Sequence, residues 1–356
     1  MVSCLILAGF FPALVQANDS AGTSSAGGIV FKKTPNVVME QEKLSISPQN
    51  IQVSYLFHNK TKKNILALVF FPLPPYKMLG ANVSWDSEIN PHLAPNNGVP
   101  FVNFSVRVNH HEVAYQTITR AIYDKRDVTA QLKNAGIPLN PDLVAGNIPL
   151  MDASKISTWQ LAAKKIGLLD AHSQPLWHKQ IIYQWQQIFP AGKKIVIEHD
   201  YRPAAGIFYG DRIAALKQSD KSLFLADMQR VNDLFGLDLK QTVTATSFNH
   251  WLAAQIKTAH FPSARHCNAY QAGQSDCLYA FFTNVNYILT TGANWDGPIK
   301  NFELILHYPP TGAVTYNQFY QQSALTMAQP GLIHIHIINF LPKQDLHILF
   351  ADKKIG

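Results

Sequence analysis

The chain is short of charge: Asp, Glu, Lys and Arg make up 15% of its 356 residues, against about 25% in ordinary soluble domains. That excludes a disordered charged tail and a coiled coil, both of which need biased compositions. It also excludes a surface dense in salt bridges. Cysteine is scarce, with three in the chain. No apolar run approaches the roughly 20 residues that cross a bilayer as a helix. The common catalytic and nucleotide signatures are missing too. There is no G-x-S-x-G, H-E-x-x-H, S-x-x-K, Walker loop, G-x-G-x-x-G or C-x-x-C, which lowers the expectation of a common hydrolase or nucleotide user. No repeat of fixed period appears, so a solenoid or propeller is not expected.

The N-terminus is informative. The first 17 residues hold no Lys, Arg, Asp or Glu; Leu5–Phe11 is apolar, and Ala13-Leu14-Val15-Gln16-Ala17 ends in small residues before polar Asn18-Asp19-Ser20. This is the pattern of a signal peptide cut near Ala17, and it predicts a periplasmic or secreted, soluble mature protein. Cleavage removes Cys4 and leaves Cys267 and Cys277, an even pair that reads as a disulfide in an oxidising compartment.

Two-residue alternation dominates from Ile29 to about Tyr123. Ile51, Val53, Tyr55 and Phe57 share one strand face; Ile65–Phe71 is nearly continuous and ends at Pro72, Pro74 and Pro75; Val102, Phe104, Val106 and Val108 share another face. Helical spacing follows. Asp127 caps a short helix ending at Gly136, and a second begins at Ser154 with Ile156, Trp159, Ala163 and Ile166 on one face, ending at Gly167. Ile181–Gln187 and Ile195–Tyr201, joined through Pro190-Ala191-Gly192, read as a hairpin. Further helical stripes run through Phe224–Phe235 and Phe248–Ile256, and strands return at Tyr279–Thr291, Ile299–Tyr308, Leu332–Leu341 and Leu346–Phe350. The expected fold is α+β, mostly β: antiparallel sandwich-like sheets in two halves with helical insertions between them. The expected segments are a signal peptide over 1–17, a β domain over 18–126 and a helical connector over 127–175. A β-rich domain over 176–356 then carries a helical insertion at about 210–260.

Several constellations could carry chemistry. His334-Ile335-His336 on a strand would turn both imidazoles to one face, where a Zn or Cu ion could bind with help from His307 or His347. The bland alternative is a solvated strand face. His110-His111 is weaker, since adjacent strand residues point apart. Glu198 and Asp200 share a face roughly 6.6 Å apart by strand rise, near the spacing of an inverting carboxylate pair. Their flanking Lys193, Lys194 and Arg202 suggest ordinary ion pairs instead. His199 and Tyr201, on the opposite face, are expected in the core. In Asn294-Trp295-Asp296-Gly297-Pro298 the indole could stack on a sugar or plug the end of a sandwich, and plugging is the commoner use of such a Trp.

The mature start Ala17–Ser20 with Ala26-Gly27-Gly28-Ile29-Val30, Leu44–Ser47, Tyr55–Pro74, Tyr183-Gln184-Trp185, Phe189–Gly192, His199–Pro203 and Asn294–Pro298 occur in order across most of the chain. Together they resemble an exported bacterial family known as domain of unknown function 4424. The resemblance implies export and brings no catalytic residues with it. The net charge of +7 comes from dispersed groups: Lys32-Lys33, Lys60-Lys62-Lys63, Lys164-Lys165, Lys193-Lys194 and Lys353-Lys354. Nucleic acid would call for a concentrated stripe with interleaved aromatics, so it is not expected. Solubility alone accounts for such pairs; anionic lipid headgroups or cell-wall polymers are the partners they would favour. Two functional readings follow. The first is a non-enzymatic envelope binding or structural protein, without cofactor. The second is a hydrolase of envelope polymers using a metal at His334 and His336, or the carboxylates Glu198 and Asp200.

Overall fold

The computed structural model describes residues 20–25, 28–31, 34–77, 103–146, 152–203, 206–210, 278–317, 319–321 and 323–355. The expected signal segment, the expected Cys267–Cys277 disulfide and the helical insertion expected at about 210–260 lie outside these residues. The chain begins with β1 (Ser20–Ser25), β2 (Gly28–Phe31), β3 (Val37–Ile46), β4 (Ile51–Asn59) and β5 (Ile65–Pro72). Next come β6 (Ser105–Val108), β7 (His111–Glu112), β8 (Gln116–Tyr123) and β9 (Arg126–Asp127). Three helices follow, α1 (Thr129–Asn134), α2 (Pro141–Ala145) and α3 (Ala153–Lys165). Then come β10 (His178–Phe189), β11 (Lys194–Tyr201), β12 (Gly206–Gly210) and β13 (Leu278–Tyr287). After a 3-10 turn at Thr290–Asn294 the chain closes with β14 (Ile299–His307), β15 (Ala313–Tyr316), β16 (Leu325–Gln329), β17 (Leu332–Phe340) and β18 (Leu346–Ile355).

These strands form three sheets: β2-β1-β5-β10-β8-β9, β16-β17-β14-β3-β4-β11-β6-β7 and β12-β13-β18-β15. The mostly β, antiparallel α+β character expected from alternation is what the chain adopts. One pairing, β3 with β14, is parallel. It places strands from both sequence halves side by side in the eight-stranded sheet.

Period-two patterning explains which face is buried. One cross-strand row reads Ile335, Leu304, Leu44, Val53, His199, Val106, and all six are buried. One residue along each strand the row becomes His336, Glu303, Lys43, Ser54, Glu198, Arg107, the opposite face. The apolar face packs against Val69 and Phe71 of β5, Tyr183 and Trp185 of β10, and Tyr287 and Ile348 of the four-stranded sheet, all in one core. Ring contacts cross the interface, with Phe104 stacked on Tyr183 at 3.9 Å and His199 at 4.6 Å from Phe71. Tyr55 and Tyr287 join through their hydroxyls at 2.9 Å. His199 and Tyr201 are thus core residues, as the alternation expects.

The expected hairpin is corrected. β10 pairs with β5 and β8, whereas β11 pairs with β4 and β6. The reason is the apolar side each strand carries. Tyr183 and Trp185 face His199 across the core, so Pro190–Lys193 arches from one sheet to the other. His58–Asn64 forms a matching arch from β4 to β5.

The helices pack a separate core of Ala121, Val128, Leu132, Val144, Ala163, Leu168 and Trp177. The expected cap of α1 is corrected: Val128 holds that position without a side-chain cap, while Asp127 just before it accepts the Thr129 N–H at 2.9 Å, and Gly136, at φ +67°, follows the helix end. The start of α3 is corrected by one residue, to Ala153, and its cap is Asp152, whose carboxylate accepts the Ser154 N–H at 2.8 Å.

Asp345 anchors the 3-10 turn. Its Oδ1 accepts from Leu289 N and Thr290 N, both at 3.1 Å, and from Thr290 Oγ1 at 2.8 Å. The residue as a whole is half-buried, yet its carboxyl lies deep, and desolvation pushes it up to about 6 against those hydrogen bonds. A carboxylate raised on folding binds its proton more tightly in the native state. Its contribution is therefore full below about pH 4 and is lost as pH rises through about 6, a change on the order of 2–3 kcal/mol. Urea midpoints measured from pH 4 to 8 should show Asp345→Asn flattening this dependence, with the largest gain over the parent above pH 7.

Candidate functional site

The two arches lie at one end of the sandwich and are stitched together by asparagines. Asn59 is wholly buried. Its Nδ2 donates to the carbonyls of Lys63 and Phe189, each at 2.8 Å, and its Oδ1 accepts from Thr61 N at 2.9 Å and Thr61 Oγ1 at 2.8 Å. Its own N–H donates to the Lys193 carbonyl at 3.1 Å. Asn64 Oδ1 accepts the Ala191 N–H at 2.9 Å. With their backbones so tied, the arches present Lys60, Lys62, Lys63, Lys193 and Lys194 together, all exposed. The dispersal read from the sequence is therefore undone by folding for these two groups.

A third segment completes this end. Lys60 N donates to Asn36 O at 3.0 Å, Asp296 N to Val37 O at 3.0 Å and Thr34 N to Asn294 O at 2.8 Å. These bonds bring the Asn294–Pro298 turn and Lys300 alongside. Trp295 is 3% exposed, with its ring 4.4 Å from Phe57 and 5.7 Å from Phe189. That is the geometry of a plug beneath the basic end. Asn294 contributes its carbonyl to the same closure.

The strand register shifts between Met39 and Gln41, a bulge, and Glu40 lies in it. Glu40 forms an ion pair with Lys194 and meets His58 Nδ1 at 3.0 Å and Lys300 Nζ at 4.0 Å. The hydrogen-bonded Lys194 ammonium holds its carboxyl below the ordinary value, with His58 adding to the effect and partial burial opposing it. Its stabilising part is thus present above the ordinary carboxylate range and lost as pH falls through the lowered value. Lys60 reaches Asp296 at 3.9 Å. Two carboxylates therefore stand against six lysines and His58. The lysine side chains stay open, with Lys60, Lys194 and Lys300 about half exposed at 47%, 53% and 50%. Such a surface attracts anions.

The residues singled out in the sequence lie elsewhere on the eight-stranded sheet. Glu198 accepts from His110 Nδ1 at 3.0 Å and lies 3.6 Å from Arg107 Nε. Asp200 accepts from Gln52 at 2.7 Å and Asn50 at 3.4 Å. The two carboxylates share a face and are engaged with separate sets of partners. His334 and His336 also share a face. His334 Nε2 sits 3.5 Å from Glu303, and the His336 ring hydrogen-bonds Asn301. His307 lies two residues along β14 from Ile305, the register partner of His334, whereas His347 belongs to β18 and bonds Asn286 at 3.0 Å. Among the described residues, no three His, Cys, Asp or Glu side chains group as a metal set.

Glu40 carries no motif, and Asn59 opens an Asn-Lys-Thr sequon, a glycosylation signal that gives no sign of its buried stitching role. The only available signal was that a β4–β11 pairing would bring the Lys60–Lys63 turn next to Lys193-Lys194.

Taken together, fold and site define a mostly β protein with tied basic arches at one end of a sandwich. The chain belongs to the family described as domain of unknown function DUF4424, whose model matches residues 17–349. No curated protein matches the sequence. Among solved structures, a candidate nutrient-binding protein from Legionella pneumophila subsp. pneumophila str. Philadelphia 1 is similar at 13% identity and TM-score 0.41, over 94% of this chain and 70% of that one. A two-domain M1 zinc metallopeptidase mutant bound to L-tryptophan is similar at 7% identity and TM-score 0.24, over 90% of this chain and 44% of that one. Among the described residues no helix is long and apolar enough to cross a membrane.

Proposed function

We propose that the chain is an exported, non-catalytic binding protein that takes an anionic component of the cell envelope at its basic end. The observation that carries this reading is the convergence of Lys60, Lys62, Lys63, Lys193, Lys194 and Lys300 on arches held by Asn59 and Asn64. A tied backbone presenting six exposed ammonium groups against the two carboxylates of Glu40 and Asp296 leaves net positive charge and binds anions with less ordering cost than lysines on a loose loop would incur. Export after cleavage near Ala17 and a Cys267–Cys277 disulfide complete the proposal. The low charge content and the family match from residue 17 support it.

Immobilised protein should retain anionic polymers or lipids from an envelope extract and release them in salt. Lys193→Gln with Lys194→Gln should retain several-fold less. Equal retention by parent and variant would remove the basic end from the account. Protein recovered from a secreting host should begin at Asn18 and resist alkylation at both cysteines until reduced.

A further inference from the structure

Beside the basic arches stands an exposed apolar pair. Leu66 of β5 is 65% exposed and Ile188 of β10 is 54% exposed, and the two are direct register partners on the outer side of the six-stranded sheet. Leu66 follows Lys63 by three residues, and Ile188 precedes Lys193 by five. Both side chains stand open on the outer face, while the next partners along, Ile65 with Phe189, turn into the core. A ring of exposed ammonium groups bordering protruding aliphatic side chains matches the two layers of an anionic bilayer surface, phosphate outside and acyl chain beneath.

Resting on the proposed anion-binding reading, we infer that the ligand is an anionic lipid surface. The basic end docks on the phosphates while Leu66 and Ile188 dip into the headgroup–acyl boundary. Charge complementarity selects an anionic over a neutral surface, and the apolar pair separates a lipid surface from a soluble polyanion, which would use the lysines alone. Glu40 and Asp296 are the acidic groups facing this end. They keep part of the charge neutralised, so attachment is reversible and salt-sensitive.

Co-sedimentation with vesicles tests this, using phosphatidylcholine alone, phosphatidylcholine with phosphatidylglycerol, and soluble polyphosphate as competitor and separate ligand. The full chain should sediment with the anionic vesicles, not the neutral ones, and be released in salt. Each lysine neutralised should weaken vesicle binding roughly fivefold. Leu66→Ser with Ile188→Ser should weaken it about tenfold and leave polyphosphate binding unchanged. Both positions are exposed, so the double variant should keep the parent's unfolding midpoint, which is the folding control. Polyphosphate binding without vesicle binding, or vesicle binding untouched by the double variant, would overturn the lipid inference while leaving anion binding in place. Binding to neither probe would overturn both.

Discussion

Replacing Trp295 by alanine is expected to lower folding stability by about 3–5 kcal/mol, the usual cost of emptying a large buried aromatic site. The ring closes the core at the end where three chain segments meet. It packs on Phe57 and Phe189, beneath the turn that Asp345 anchors. Trp295→Phe should recover about half of that loss, because a smaller ring still fills part of the space. Urea denaturation measures both. A Trp that served only to stack on a ligand would give a change within about 0.5 kcal/mol, the range of surface substitutions.

Asn59→Ala is the second large effect. The substitution deletes two donated and two accepted hydrogen bonds at a wholly buried position. The carbonyls of Lys63 and Phe189 and the Thr61 N–H then lose partners, which should cost about 3 kcal/mol. The consequence for function is separate. The arches lose their stitch, so the lysines become mobile and affinity for a soluble polyanion should fall about tenfold, as ordering costs return. Titration at a temperature where parent and variant are both fully folded separates the two effects. Asn59→Asp sets a buried carboxylate oxygen against the carbonyls of Lys63 and Phe189, so it should bind no better than alanine.

Much of the fold was legible because burial follows a local rule. Alternation in Ile51–Phe57 placed four side chains on one face, and all four are buried. The continuous run Ile65–Phe71 and its proline ending likewise marked β5. Pairing was not legible in the same way. Nothing local in Ile181–Gln187 and Ile195–Tyr201 distinguishes a hairpin from an arch, since both put apolar residues at alternate positions. The choice is made by which strands offer a second apolar face, and those lie 56 to 150 residues away. The site was hidden for the same reason. Lys60 and Lys194 are distant in sequence, and only the antiparallel pairing of β4 with β11 aligns Lys194 with His58. Glu40 owes its place to a bulge, a feature without composition. Leu66 sits inside a continuous apolar run and Ile188 beside Phe189, so neither strand pattern marks them as open, and only the finished packing shows them exposed.

The most direct test of the account is an equilibrium titration of the folded chain with polyphosphate at low and high salt. The parent is compared with a variant carrying Gln at Lys60, Lys62, Lys63, Lys193 and Lys194. Parent binding should weaken steeply with salt, as screening reduces the attraction of exposed charge, and the variant should bind on the order of a thousandfold more weakly, at roughly fivefold for each of five lysines. A parent that fails to bind, or a variant that binds as tightly as the parent, would contradict it.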